Sequence, residues 1–373
     1  LSCILHIKEA LPLRKHRSEF LFIAIGVCLV LLYQWVALYA VMPPYSSVVA
    51  RARMLERHAP GIEALAVGNS KSSALDFRHL HGADGIRGFQ AWRPQADLFE
   101  TEYLLRCQLP MLPRLRTVYV QVDMETFFLD NALSPERENV RIHVYSSTPM
   151  LRCVAPVTGD TRLMVLGKLW PLVHAGHFRD VIQELAALVR ATDRAGFVRE
   201  RLGRLRVDEY GATIKRESTP DSRITPETDF GTRAESLTAQ MAAIRAADSG
   251  VADRAEDALG RLIADLLDKG ISVVLYSPPV YRGHHEAMHV RNAPQYADAV
   301  ERLWRVSREF GVPYLDYTLD EAFTDAPGYF SDGIHLNEEG ARLFTDALMA
   351  ALDAYVPEGL ARAVKGPEAA RAL

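Results

Sequence analysis

The chain has 373 residues and a formal net charge of −4, from 43 basic and 47 acidic side chains. That near balance excludes the strongly basic field that nucleic-acid binding requires, so no nucleic-acid partner is expected. The length fits one large domain or two modest ones, and the composition is that of an ordinary globular protein.

In chain order, the first informative segment is Phe20–Met42, FLFIAIGVCLVLLYQWVALYAVM, which carries no charge. As a helix, its 23 residues reach about 34 Å, enough to cross a hydrocarbon core of about 30 Å. Arg14, Lys15 and Arg17 precede it, which places residues 1–19 in the cytoplasm. Trp35 and Tyr39 sit near its outer end, and Pro43 and Pro44 stop it. Its apolar core is longer than the roughly 7–15 residues of a cleaved signal peptide, so a retained single-pass anchor over 20–42 is expected. Everything after residue 45 then lies outside the cytoplasmic membrane, in the periplasm if the source is Gram-negative. Cys107 and Cys153 share that oxidising compartment and could pair, but two buried free thiols are the expectation.

Beyond the anchor, short apolar runs at 62–67, 117–122, 271–276 and 313–317, with a weaker one at 85–90, read as strands. Helical periodicity follows them at 94–108, 294–310 and 337–355. This alternation predicts an α/β fold with a parallel sheet covered on both faces. The rhythm breaks in the middle. Residues 151–233 read as a helical insertion or cap, with a polar loop over 207–232. It divides the core into 46–150 and 234–356. Residues 234–269 are helical again and end at Gly270, a good C-cap, and 357–373 read as a flexible tail.

Two short stretches carry chemistry. Strand 62–67 leaves through Gly68-Asn69-Ser70 into what reads as a helix start. There, backbone N–H groups favour the negative charge of a tetrahedral intermediate. The bland alternative is a turn that merely needs small residues. The second stretch, YFSDGIHLNEEG, places Asp332 and His335 three apart on one loop before the last helix. A carboxylate there can orient an imidazole whose other nitrogen faces a serine. The bland alternative is Asp332 capping backbone amides. Asp316, at a strand end, is a rival partner for the histidine.

Together these residues resemble the SGNH (GDSL-like) hydrolase superfamily, whose Gly-Asp-Ser and Asp-x-x-His blocks correspond to Gly68-Asn69-Ser70 and Asp332-Gly333-Ile334-His335. The resemblance covers about half the chain. It implies a flavodoxin-like three-layer α/β/α sandwich with Ser70, Asp332 and His335 catalytic. It also implies an oxyanion hole of the Ser70 amide, Gly88 after the second strand, and Asn69. The family's Gly-x-Asn-Asp block is missing: strand 117–122 runs into Gln121-Val122-Asp123, and a carboxylate repels an oxyanion. Asn69 or Asn131 would have to donate instead. Asp123, Tyr281 and His284 are candidate substrate contacts. The anchored architecture is similar to SGNH-like proteins that work beside membrane-bound O-acyltransferases in alginate acetylation and teichoic-acid D-alanylation. That similarity implies an esterase or O-acyltransferase acting on an acylated polysaccharide, with such an acyltransferase as partner and no cofactor or metal. The rival reading is an inactive scaffold or binding subunit of a polysaccharide-modification complex.

One motif competes. His285-Glu286-Ala287-Met288-His289 fits H-E-x-x-H, in which two histidines a turn apart bind zinc. Pro294 should limit that helix to about two turns, so the segment reads better as a polar loop at the sheet's C-terminal edge. The Arg-rich stretch 199–217 reads as a solvated helix face.

Overall fold

The computed structural model describes residues 43–133, 207–212 and 228–355, with isolated positions at 21–22, 24–29, 32, 186–187, 189–190, 192–193 and 224. The chain divides into two compact units, Leu1–Ser46 with Lys168–Arg204, and Ser47–Gly167 with Leu205–Leu373. The second unit carries the sheet. The expected insertion and tail fall largely outside the described residues. So does most of the expected anchor, of which positions 21–22, 24–29 and 32 are helical and exposed. Among the described residues no helix is long and apolar enough to cross a membrane.

Five strands form the sheet: β1 (Ala64–Val67), β2 (Gly88–Gln90), β3 (Thr117–Gln121), β4 (Ser272–Ser277) and β5 (Tyr314–Asp316). All pairings are parallel, in the order β2-β1-β3-β4-β5. The helices are α1 (Pro43–His58), α2 (Phe77–Asp84), α3 (Leu98–Gln108), α4 (Met124–Phe128), α5 (Gly231–Ala247), α6 (Val251–Leu267), α7 (Arg282–Phe310), α8 (Glu321–Thr324) and α9 (Glu338–Tyr355). β1, β3 and β4 are buried along their whole length, as strands covered on both faces must be.

Side chains alternate across the sheet. Leu65, Val67, Val118, Val120, Val273 and Leu275 point into one core, filled by α3, α4, α5, α6 and α7. Ala64, Ala66, Tyr119, Val274 and Tyr276 point into a second, filled by α2 and α9. The sequence of α6 shows why it buries one face: Ala255, Ala258, Leu259, Leu262, Ile263 and Leu266 recur at helical spacing and are fully buried. Asp97 starts α3 with a capping box to Glu100, and Asn337 accepts from the Gly340 N–H at the start of α9.

Several expectations change. The helical stretch 234–269 is two helices, and the first begins at Gly231, inside the span expected to be insertion. Asp248 breaks the run by accepting from the Gly250 N–H. The helix around His285 does not end before Pro294. It runs on to Phe310 through a kink at Asn292, whose backbone is non-helical where the proline removes a donor. Cys107 is disulfide-bonded rather than a free thiol, its partner lying outside the described residues, while Cys28 is free.

Gly88 also has a different role from the one expected. It begins β2, at the end of the strand opposite the candidate site, and pairs with Ala64. A Cβ there would come within 1.9 Å of Phe77 Cδ1, and Phe77 is fully buried. The residue is glycine so that α2 can close on the sheet. Gly88→Ala should therefore cost about 1–3 kcal/mol through overpacking, read as a lower urea midpoint, and Phe77→Leu in the same chain should recover part of it.

Candidate active site

β1 and β3 are neighbours, but β1 is followed in sequence by β2 on its other side. The order reverses here, and in open parallel sheets the crevice beyond the strand ends at such a point receives ligands. β1 leaves through Gly68, whose φ is +130°. A Cβ at Gly68 would meet Gln121 Cβ, Gln121 Oε1 and Ser72 Oγ, each at 2.9 Å, so both conformation and space demand glycine. Asn69 then caps a 3₁₀ turn, Ser70–Ala74, its side chain accepting from the Lys71 N–H at 2.9 Å. Ser72 Oγ donates to the Val67 carbonyl at 2.7 Å, and Tyr276 OH donates to the Ser72 carbonyl at 3.3 Å. The turn is pinned below, and Ser70 stands at its start. As the first residue of the turn, Ser70 has an N–H that the turn itself does not use.

The opposite wall is the loop between β5 and α9. Asp332 Oδ1 accepts the Ile334 and His335 N–H groups, both at 2.9 Å. The His335 carbonyl accepts from Ser331 N–H at 2.8 Å, and the Tyr281 N–H donates to the Gly333 carbonyl at 3.0 Å. In this closed loop His335 Nδ1 lies 2.8 Å from Asp332 Oδ2, and His335 Nε2 lies 2.8 Å from Ser70 Oγ. An ionised carboxylate can only accept, so Nδ1 carries the hydrogen and Nε2 is left to accept from the serine hydroxyl. Burial disfavours the Asp332 carboxylate. The bond to His335, the positive charge that His335 carries when protonated, and the two amides outweigh that and hold its carboxyl well below the usual range.

The cleft at Ser70 has a volume of about 450 Å³. Asn69, Gln95, Gln121, Thr232, Arg233 and His284 are among its lining, and the wall beyond Ser70 mixes hydroxyl and amide groups with charged side chains and with Leu98, Leu129, Leu237 and Ile334. His284 is buried, with its ring edge-on to Phe230 and its Nδ1 without a hydrogen-bond partner among the described residues. Desolvation, with the charges of Lys71 and Arg233, pushes its pKa down to about 3, so it is neutral throughout the physiological range.

The structure thus brings Ser70, His335, Asp332, Asn69 and His284 together and leaves other candidates elsewhere. Gly88 lies outside the cleft; the exit of β2 instead brings Gln95, held at φ +56° while its carbonyl accepts from Asn131 Nδ2 at 3.0 Å. Asn131 is no free donor, because that amide also bonds Glu100 at 2.8 Å. Tyr281 is not on the cleft: its ring packs between Phe230 and Phe330. Asp123 is occupied. Its Oδ1 caps α4 at the Thr126 N–H, and its Oδ2 accepts Lys71 Nζ at 2.8 Å and Gln121 Nε2 at 3.0 Å. Asp316 accepts the Thr318 N–H and does not replace Asp332. In the H-E-x-x-H segment, His285 is buried edge-on to Tyr296 and Glu286 is exposed. Among the described residues no cluster of three or more metal-ligating side chains occurs.

Lys71, Gln121, Gln95 and Arg233 line the cleft without having been singled out in the sequence. Gln121 and Lys71 had a signal, since one ends a strand and the other follows the serine. The other two are placed by loops with no local pattern. The chain matches no protein-family model and no curated protein sequence.

Two outcomes follow from the electrostatics. The depressed Asp332 carboxyl contributes stability that is full above its unfolded value of about 3.9 and is lost as pH falls through the lower folded value. Asp332→Asn should therefore lower the thermal midpoint at pH 7, and the gap to the native chain should close progressively below about pH 4. In NMR titration the His284 ring should show no protonation step between pH 5 and 8.

Proposed function

We propose that the chain is an SGNH-like serine esterase or O-acyltransferase, acting on acyl esters of an envelope or secreted polysaccharide. The observation that carries this is the unbroken relay from Asp332 through His335 to Ser70, with both links at 2.8 Å. Ser70 follows the first strand and Asp332 and His335 precede the last helix, in a sheet of order 2-1-3-4-5, which supports the flavodoxin-like, SGNH-type arrangement.

In this reading His335 Nε2 takes the Ser70 proton as Oγ attacks the acyl carbonyl, and Asp332 stabilises the imidazolium. The oxyanion meets the Ser70 N–H and the Asn69 side-chain amide. His335 then protonates the departing alcohol, leaving an acyl group on Ser70. A water or a glycan hydroxyl, deprotonated by His335, takes the acyl group in the second half. The hydroxyl and amide groups on the cleft wall suit a polyhydroxylated alcohol, and Leu98, Leu129 and Leu237 beside them suit an acyl chain. The apolar segment 20–42 would anchor the domain to the outer side of the cytoplasmic membrane, where a membrane-bound O-acyltransferase is the partner this reading calls for. The rival, a binding or scaffold subunit, is favoured by one observation: no asparagine stands at the end of β3, where the family carries its oxyanion donor.

The test is fluorophosphonate labelling of the full chain in detergent, with mass spectrometry to place the adduct. Label is expected on Ser70 and absent in Ser70→Ala and His335→Ala. With an aryl acetate, either variant should lose about 10⁴-fold or more in rate and Asp332→Asn about 10³–10⁴-fold. A folded chain that takes no label at Ser70 returns the protein to the binding-subunit reading.

A further inference from the structure

The serine is bracketed by a closed ring of polar contacts. The residue before it, Asn69, donates its backbone N–H to Gln121 Oε1 at 3.1 Å. Gln121 Nε2 donates to Asp123 Oδ2 at 3.0 Å. The same carboxylate oxygen accepts from Nζ of Lys71, the residue after the serine, at 2.8 Å. Lys71 N–H returns to Asn69 Oδ1 at 2.9 Å. Both neighbours of Ser70 are therefore tied to one carboxylate, one directly and one through an amide.

The ring is buried. Lys71 is 7% exposed and Gln121 4%. Lys71 also reaches Glu125 Oε1 at 2.7 Å, so one ammonium faces two carboxylates. Burial disfavours its charge, but Asp123 and Glu125 outweigh that and raise its pKa well above the usual range. It is charged at any working pH and offsets one of the two carboxylates it faces.

We infer that Asp123, acting through Lys71 and Gln121, is a positioning residue that fixes the nucleophile turn, and that Lys71 offsets part of the negative charge that Asp123 and Glu125 bring beside it. The inference rests on the serine-acyl reading for its effect on rate, though not for its effect on the turn. Asp123 also caps α4, and a cap alone needs no charge: asparagine caps as well as aspartate. The two roles therefore separate in Asp123→Asn.

The experiment compares the full-length native chain, Asp123→Asn and the neutral variant Lys71→Met/Asp123→Asn/Glu125→Gln, by aryl-acetate kinetics and by hydrogen exchange of the peptide covering residues 65–76. In Asp123→Asn, kcat should fall about tenfold, with KM changed less than about twofold, since the interaction acts on the turn's geometry and not on substrate binding. Exchange at 65–76 should quicken about tenfold while peptides of α6 are unchanged. The neutral variant should show the same loss of kcat while keeping the native circular dichroism. Unchanged kcat and unchanged exchange in Asp123→Asn would overturn the inference, leaving Asp123 a helix cap. A rise in kcat would also overturn it, because the carboxylate would then be opposing the oxyanion despite Lys71. If the native chain neither hydrolyses the ester nor takes fluorophosphonate, the serine reading fails by itself, and the exchange comparison still decides whether the ring holds the turn.

Discussion

The arrangement depends on one close approach, that of the Gly68 backbone to the Gln121 side chain. At φ +130° and with no Cβ, the chain leaves β1 and turns at once, so Ser70 stands above the strand end instead of being carried away along a helix. The approach also brings the Asn69 N–H within reach of Gln121 Oε1. β1 and β3 are thereby coupled beyond their ladder, at the point where the strand order reverses. A side chain at residue 68 would part the two strands where Ser70 must face His335.

Around that point the fold supplies rigidity from two directions. Below, Tyr276 from β4 and Ser72 lock the turn to the sheet, and the sheet is buried on both faces by separate cores. Across the cleft, the Asp332–His335 loop is closed by its own backbone bonds and tied to the start of α7 through Tyr281. Neither side needs an induced rearrangement to bring Ser70 Oγ and His335 Nε2 into hydrogen-bond distance. Preorganisation of this kind lowers the cost of aligning a nucleophile with its base.

Electrostatics divide the site by burial and partner. Asp332 keeps its charge because amides and an imidazole face it. His284 loses the capacity for charge because it is buried near cations. Lys71 retains its charge at similar burial because two carboxylates face it. Three ionisable groups at the site are thus held in one protonation state each.

The sequence alone determined the parallel α/β class, the strand positions to within one to three residues, and the three residues of the relay. Those features are local. Hydrophobic alternation reports burial directly, and a Gly-x-Ser exit or an Asp-x-x-His loop sets its geometry within a few residues. Gly88, Asp123 and Tyr281 were misread because each has a local role that spacing does not reveal: close packing on Phe77, a helix cap paired to Lys71, and an aromatic stack. Only the tertiary structure decided that Lys71 pairs with both Asp123 and Glu125, that Gln95 rather than Gly88 reaches the cleft, and that Arg233 and His284 close it. Those contacts join β1 to β3, β2 to its exit loop, and α5 to α7. A linear pattern holds the preference of each segment for helix, strand or turn, whereas the meeting of distant side chains depends on how the segments pack.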